Sequence, residues 1–146
     1  MQKENNIPKF VSIVAITLGI LDLVRGFMHT ILLEYAAANI AGLDLSSSVA
    51  IDLLQLMGSF GISNYITGVM LILLGWKARP LALTMLGVIP AAYLIGSVGI
   101  KFYTTAYATT QGDWGGLPMM QIYMVVCIVT YVTGTILAKR KRKNVT

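Results

Sequence analysis

The stretch KFVSIVAITLGILDLVRGFMHTILL, residues 9–33, decides the fold class. It exceeds the ~20 apolar residues that a helix needs to cross a ~30 Å hydrocarbon layer. Three further apolar runs follow, at residues 53–76, 80–102 and 117–138. Because a backbone inside lipid must satisfy its own hydrogen bonds, runs of this length predict helices. The sequence therefore predicts an all-α integral membrane four-helix bundle, formed as a single domain by residues 1–146.

The composition agrees with lipid as the solvent of this chain. Of its 146 residues, 56% are hydrophobic and 12% are charged, and the mean hydropathy is +0.75. A typical soluble domain carries about 25% charged residues. This composition excludes an ordinary soluble enzyme or binding domain. The single cysteine, Cys127, excludes an intrachain disulfide and a CxxC motif, and we interpret it as a packing residue.

Basic residues concentrate at one end of the predicted bundle. Nine of the eleven Lys and Arg residues lie before or at the start of the first run, between the second and third, or after the fourth: Lys3, Lys9, Lys77, Arg79 and residues 139–143. Because cytoplasmic loops carry such an excess, we expect a multi-pass protein of the cell membrane with both termini cytoplasmic and loops 35–52 and 103–116 facing out. The basic tail, residues 139–146, is interpreted as an orientation anchor that contacts membrane lipid, rather than as a nucleic-acid site.

Two apolar runs contain similar segments. NYITGVML, residues 64–71, and TYVTGTIL, residues 130–137, share a Tyr, a Thr-Gly pair and a closing Leu. This pattern is typical of a parallel repeat in which two helices are followed by two equivalent ones. Apolar sequences also match by chance, so a two-plus-two repeat and an unduplicated bundle both stay open.

Polar residues interrupt the first run at Asp22, Arg25 and His29. At 100° per residue, these three lie within about 60° of one another on a helix, on the face that also carries Gly19 and Gly26. A charge at the centre of a span costs about 2.5–3.5 kcal/mol on insertion scales, so each one predicts a partner or a hydrated cavity. Asp22 and Arg25, three residues apart, can partner each other.

The other runs offer polar residues at a similar depth, and three of them complete the predicted site: Asn64, Tyr93 and Gln121. We expect these residues and the polar residues of the first run to line an outward-opening pocket for a quinone, a lipid headgroup or a small solute. In the alternative interpretation, the acidic and basic residues of the first run form a structural ion pair that fixes helix register. His29 is then an interior hydrogen-bonding residue.

The segment GVMLILLGWKARPLALTMLGVI, residues 68–89, resembles the DoxX and DoxX-like proteins in its glycines Gly68 and Gly75, the arginine at its turn and its aliphatic third helix. An arginine followed by a glycine in the first run adds to the likeness. The resemblance implies a small four-helix membrane protein, linked in some members to a quinone-coupled oxidoreductase, and hence a bound quinone and a redox partner protein. Many members carry an acidic residue ahead of the second-helix glycine, where this chain has Asn64.

Two other functions stay open from the sequence. An internal repeat and a titratable His29 are typical of a small transporter or a lipid-binding membrane protein. A membrane-embedded enzyme would use His29 and Asp22 as acid and base. One histidine and no acidic pair at metal-ligand spacing argue against a zinc or di-iron site. A homo-oligomer is compatible with each of these functions.

Overall fold

The structure is a computed structural model that describes residues 6–105 and 116–143. Within those ranges it contains five helices and no strand: α1 (Lys9–Thr30), α2 (Leu33–Asn39), α3 (Ala50–Lys77), α4 (Arg79–Thr104) and α5 (Leu117–Lys143). All except α2 are long and apolar enough to cross a membrane. The predicted all-α fold, with four helices long and apolar enough to span a membrane, is confirmed.

The first helix ends earlier than predicted. The predicted span reached residue 33, whereas α1 ends at Thr30 and Leu33 already begins α2. Leu32 leaves the helical conformation with φ −101° and ψ 32°, and both its N–H and that of Ile31 donate to the carbonyl oxygen of Phe27. A turn therefore interrupts the helix at the end of the first span, and α2 forms a separate short helix after that turn.

α1 and α3 form the most extensively packed helix pair. Glycines line both sides of this contact at seven-residue spacing: Gly19 and Gly26 on α1, and Gly61, Gly68 and Gly75 on α3. A Cβ atom added at Gly19 would lie 2.7 Å from the carbonyl oxygen of Gly68, and one added at Gly68 would lie equally close to that of Gly19. Lipid supplies no hydrophobic drive between helices, so this backbone contact is what stabilises the pair. We call it the glycine seam.

α4 and α5 form a second pair, which packs on α1 at the end of the bundle that carries Lys9, Lys77 and Arg79. We call this the basic end and the opposite end the loop end. A Cβ atom added at Gly134 of α5 would lie 2.8 Å from Leu83 Cδ1 of α4 and 3.1 Å from Val11 Cγ2 of α1. All four long helices therefore contribute to the core at the basic end, whose fully buried members are Val11, Ala15, Leu71, Ala82, Leu86 and Cys127.

The loop-end half of α4 is open by comparison. Its residues 91–104 are exposed at nearly every position, and no atom approaches within 4 Å of a Cβ placed at Gly96 or Gly99. Pro90 lies inside α4 just before this half and does not end the helix. The bundle is thus closely packed at the basic end and along the glycine seam, while α4 extends alone toward the loop end.

The two helix pairs share one packing feature. The ring of Tyr65 in α3 covers Gly26 of α1, and the ring of Tyr131 in α5 covers Gly87 of α4, each within 3 Å of an added Cβ. The two tyrosines occupy corresponding positions in the similar segments 64–71 and 130–137. This likeness supports the two-plus-two repeat, which stays a prediction.

Candidate functional site

Asp22 is the centre of the polar site and is only 2% exposed. Its Oδ2 accepts a hydrogen bond of 2.8 Å from the Tyr123 hydroxyl of α5, and its Oδ1 accepts one of 3.4 Å from Arg25 Nη1. The contact with Arg25 is longer than the 2.7–2.9 Å usual for a charge-assisted hydrogen bond. The predicted Asp22–Arg25 pair is therefore present, but the stronger partner is Tyr123, which fastens α1 to α5.

Tyr123 was not among the predicted site residues, although the sequence carries a signal for it. Tyr123, Cys127, Thr130 and Gly134 follow one another at steps of three or four residues, and all four are buried. This spacing marks one helix face. Gln121 is two residues from Tyr123, which on a helix is nearly the opposite face. The structure leaves Gln121 exposed, with no hydrogen bond to the described part of the chain, and so does not bring it into the site.

Arg25 borders the buried carboxylate and keeps part of its guanidinium accessible. Its side chain is 24% exposed, and its one hydrogen bond among residues 6–105 and 116–143 is the contact of Nη1 with Asp22. Nε and Nη2 donate to no group in those ranges, and neither is a buried atom without a partner. The outer edge of the guanidinium is therefore open to a ligand, a lipid headgroup or water.

Tyr93 of α4 is within electrostatic reach of this pair. The charges of Arg25 and Asp22 both act on its hydroxyl, and its side chain is 43% exposed. Within the described ranges that hydroxyl makes no hydrogen bond. Asp22, Arg25, Tyr93 and Tyr123 thus form one group drawn from α1, α4 and α5, which we call the Arg25 cluster.

His29 lies one helical turn beyond Arg25, toward the loop end, and pairs with Asn64 of α3. Its Nδ1 is 3.3 Å from Asn64 Nδ2, and its Cβ and backbone pack over Gly61. Seven residues of α-helix separate it from Asp22, a rise of about 10 Å. The structure therefore brings Asn64 to His29. Their contact crosses the glycine seam and is separate from the Arg25 cluster.

The neighbouring contact strengthens this part of the seam. The Thr30 hydroxyl donates to the Gly26 carbonyl oxygen at 2.8 Å and lies 3.0 Å from the Tyr65 hydroxyl of α3. Hydrogen bonds between spans satisfy polar groups that lipid cannot. Together with the pairing of His29 and Asn64, they fix the register of α1 on α3 on the loop-end side of Arg25.

The donors available for a metal ion are few. No group of three or more His, Cys, Asp or Glu side chains comes together within residues 6–105 and 116–143. Outside the spans, Asp44 accepts hydrogen bonds from the backbone N–H and the hydroxyl of Ser46, at 2.9 and 2.6 Å, and these bonds hold the pKa of Asp44 below its usual value. That carboxylate serves the turn before α3 rather than the Arg25 cluster.

No protein-family model matches the chain, and neither does any curated protein or solved structure. The resemblance to the DoxX family rests on the sequence motifs and stays a prediction. By its own geometry, the chain is an all-α protein with four helices fit to cross a membrane and an ionisable cluster placed within them.

Proposed function

We propose that this protein is a DoxX-like protein of the cell membrane that binds a quinone or a similar apolar small molecule at the Arg25 cluster. One observation carries the proposal. The Arg25 guanidinium and the Tyr93 hydroxyl are partly exposed and within electrostatic reach of each other, and each retains donors with no acceptor in the described part of the chain. A polar donor facing hydrocarbon is costly until it finds an acceptor, so the pair favours a lipid-soluble ligand that carries one.

The chemistry of the donors selects the ligand class. A quinone is an apolar ring with carbonyl oxygens, which accept hydrogen bonds from a guanidinium and a phenol. Ligand sites of this kind combine apolar walls with a few placed polar groups. The open loop-end half of α4, with Gly96 and Gly99 uncovered, supports entry from the lipid. A soluble charged metabolite would not use that route.

The resemblance to DoxX proteins adds the biological role, that of a subunit serving a membrane oxidoreductase. A partner protein would then exchange electrons with the bound quinone. The charge distribution supports an orientation in which the basic end is cytoplasmic. The Arg25 cluster would then lie within the bilayer, and the pairing of His29 with Asn64 would lie nearer the outer surface.

The other candidate functions have less support. Acid and base catalysis by Asp22 and His29 would need both groups at one substrate, yet Asp22 has both oxygens paired and is 2% exposed. His29 is about 10 Å away along α1. A small transporter or lipid-binding protein has the support of the shared packing feature of the two helix pairs. No contact at the Arg25 cluster favours that function over quinone binding.

The test is the ligand content of the purified protein. The full chain, extracted with its native lipid in mild detergent, should carry a quinone-class compound detectable by mass spectrometry. Arg25→Gln should lower its retention about tenfold or more, because a hydrogen bond to a charged group contributes about 1.5–3 kcal/mol. Tyr93→Phe should lower it about fivefold.

Two control variants lie on the α4–α5 pair, outside the Arg25 cluster. Lys101→Gln removes an exposed basic residue of α4, and Tyr131→Phe removes a hydroxyl of α5 outside the cluster. Both variants should retain the compound as the unmodified chain does. Absence of any quinone-class compound, or equal retention in all four variants, would refute the proposal.

A further inference from the structure

A groove of about 320 Å³ lies at the basic end, far from the Arg25 cluster. One side is formed by the N-terminal segment at Ile7, and the other by Pro80 and Leu83 at the start of α4. The last turns of α5 complete it and place two cationic side chains, Lys139 and Arg142, along its edge. The groove thus joins an apolar wall to a positively charged rim at the level where the spans end.

The wall of this groove is held in place by Arg79. Its Nε donates to the Ser12 hydroxyl at 3.1 Å, and its Nη1 donates to the Ile7 carbonyl oxygen, also at 3.1 Å. These bonds tie the N-terminal segment to the beginning of α4. The wall is therefore a fixed part of the fold rather than a chance approach of the chain end.

The basic residues at the end of α5 divide into two sets. Lys139 and Arg142 are three residues apart, which on a helix is about 60°, so they share one face. Arg140 and Lys141 lie on other faces and do not line the groove. An orientation signal needs only the number of basic residues near the membrane, whereas this arrangement directs two particular charges at one apolar wall.

We propose that this groove binds one anionic phospholipid, with its phosphate headgroup at Lys139 and Arg142 and an acyl chain along the apolar wall. Two observations select this occupant. The cationic rim is complementary to a lipid headgroup whose phosphate is not neutralised by an ammonium group. The apolar wall suits an acyl chain, which free phosphate lacks. Anionic lipids are concentrated in the cytoplasmic leaflet, where the charge distribution predicts the basic end to lie. The site is independent of the quinone proposal, because the two share no residue.

The test compares phosphatidylglycerol with phosphatidylcholine as ligands of the purified full chain in neutral detergent, with bound lipid counted by native mass spectrometry. We expect one phosphatidylglycerol retained about tenfold more tightly than phosphatidylcholine. The double variant Lys139→Gln, Arg142→Gln should lose about 25-fold of this affinity, at about fivefold for each charge removed. The double variant Arg140→Gln, Lys141→Gln removes the same formal charge and should lose less than about threefold.

A second pair of variants changes the shape of the groove without changing its charge. Ala138 lines the groove, so Ala138→Leu should displace the lipid, whereas Leu137→Phe on the opposite face of α5 should not. Equal losses in the two charge variants would show diffuse attraction and overturn the proposal. So would equal retention of phosphatidylcholine, unchanged binding in Ala138→Leu, or displacement of the lipid by inorganic phosphate at the lipid's own concentration, which would indicate a site for free phosphate.

Discussion

Two sets of glycines in the spans lie in opposite packing environments. At the glycine seam, a Cβ added to Gly19 or Gly68 would lie 2.7 Å from a backbone carbonyl oxygen of the other helix. In the loop-end half of α4, a Cβ added to Gly96 or Gly99 would meet nothing within 4 Å. The first set brings two backbones into contact, and the second leaves one helix uncovered. The Arg25 cluster lies where the packed part of the bundle borders the open part. Its residues are therefore held by packed helices while some of its hydrogen-bond donors stay exposed.

The largest expected effect separates these two sets. Gly68→Ala should lower the free energy of unfolding by about 3 kcal/mol, because the carbonyl oxygen of Gly19 belongs to a helix backbone and cannot yield as a flexible side chain would. Gly99→Ala should raise the free energy of unfolding by up to about 1 kcal/mol, since alanine is the better helix former. Thermal and chemical unfolding of both variants in one detergent measures the difference. If Gly68→Ala unfolds at the same temperature as Gly99→Ala, the seam is not in contact.

A smaller effect is expected at the boundary between the packed and open parts. Tyr123→Phe should cost about 1–3 kcal/mol, because it leaves the buried Asp22 carboxylate without its 2.8 Å hydrogen bond. Arg25→Gln should cost less, because its contact with Asp22 is 3.4 Å and its side chain stays partly exposed.

Double-mutant cycles in the same unfolding assay sharpen this comparison. Asp22→Asn should couple more strongly with Tyr123→Phe than with Arg25→Gln. The sequence alone predicts that Asp22 couples mainly with Arg25. Neutralising either residue should then destabilise the protein, and neutralising both should restore much of its stability. Strong coupling to Arg25 and none to Tyr123 would restore that earlier interpretation.

The sequence predicts the number of spans because lipid admits few alternatives. Four long apolar runs can only be helices, and small residues such as Gly68 at regular spacing indicate close packing. The break between α1 and α2 could not be predicted in this way, since Ile31 and Leu32 are as apolar as their neighbours. No proline or glycine marks it.

The candidate site is predictable in part for a related reason. Charged residues such as Asp22 and Arg25 stand out in an apolar run, but their partners do not. A helix in lipid is apolar on every side, so periodicity shows weakly which face packs. The buried face of α5 is marked only by small and polar residues, so the sequence predicts Gln121 as a site residue and omits Tyr123. The exposure of the loop-end half of α4 has no sequence signature at all.

The smallest expected effect on stability concerns His29, at the loop-end side of the seam. His29→Ala removes one hydrogen bond of 3.3 Å to Asn64 but keeps the Cβ atom that packs over Gly61. We therefore expect a loss of less than about 1 kcal/mol in the free energy of unfolding. Retention of the quinone-class ligand should fall more clearly, because the imidazole lies one turn from Arg25 and is suited to binding or proton exchange.

Asn64→Ala is the matched variant, since it breaks the same bond and leaves the imidazole in place, and it should spare ligand retention. A His29→Ala protein that unfolds several degrees earlier yet keeps its ligand would assign His29 to the packing of the seam and remove it from the site.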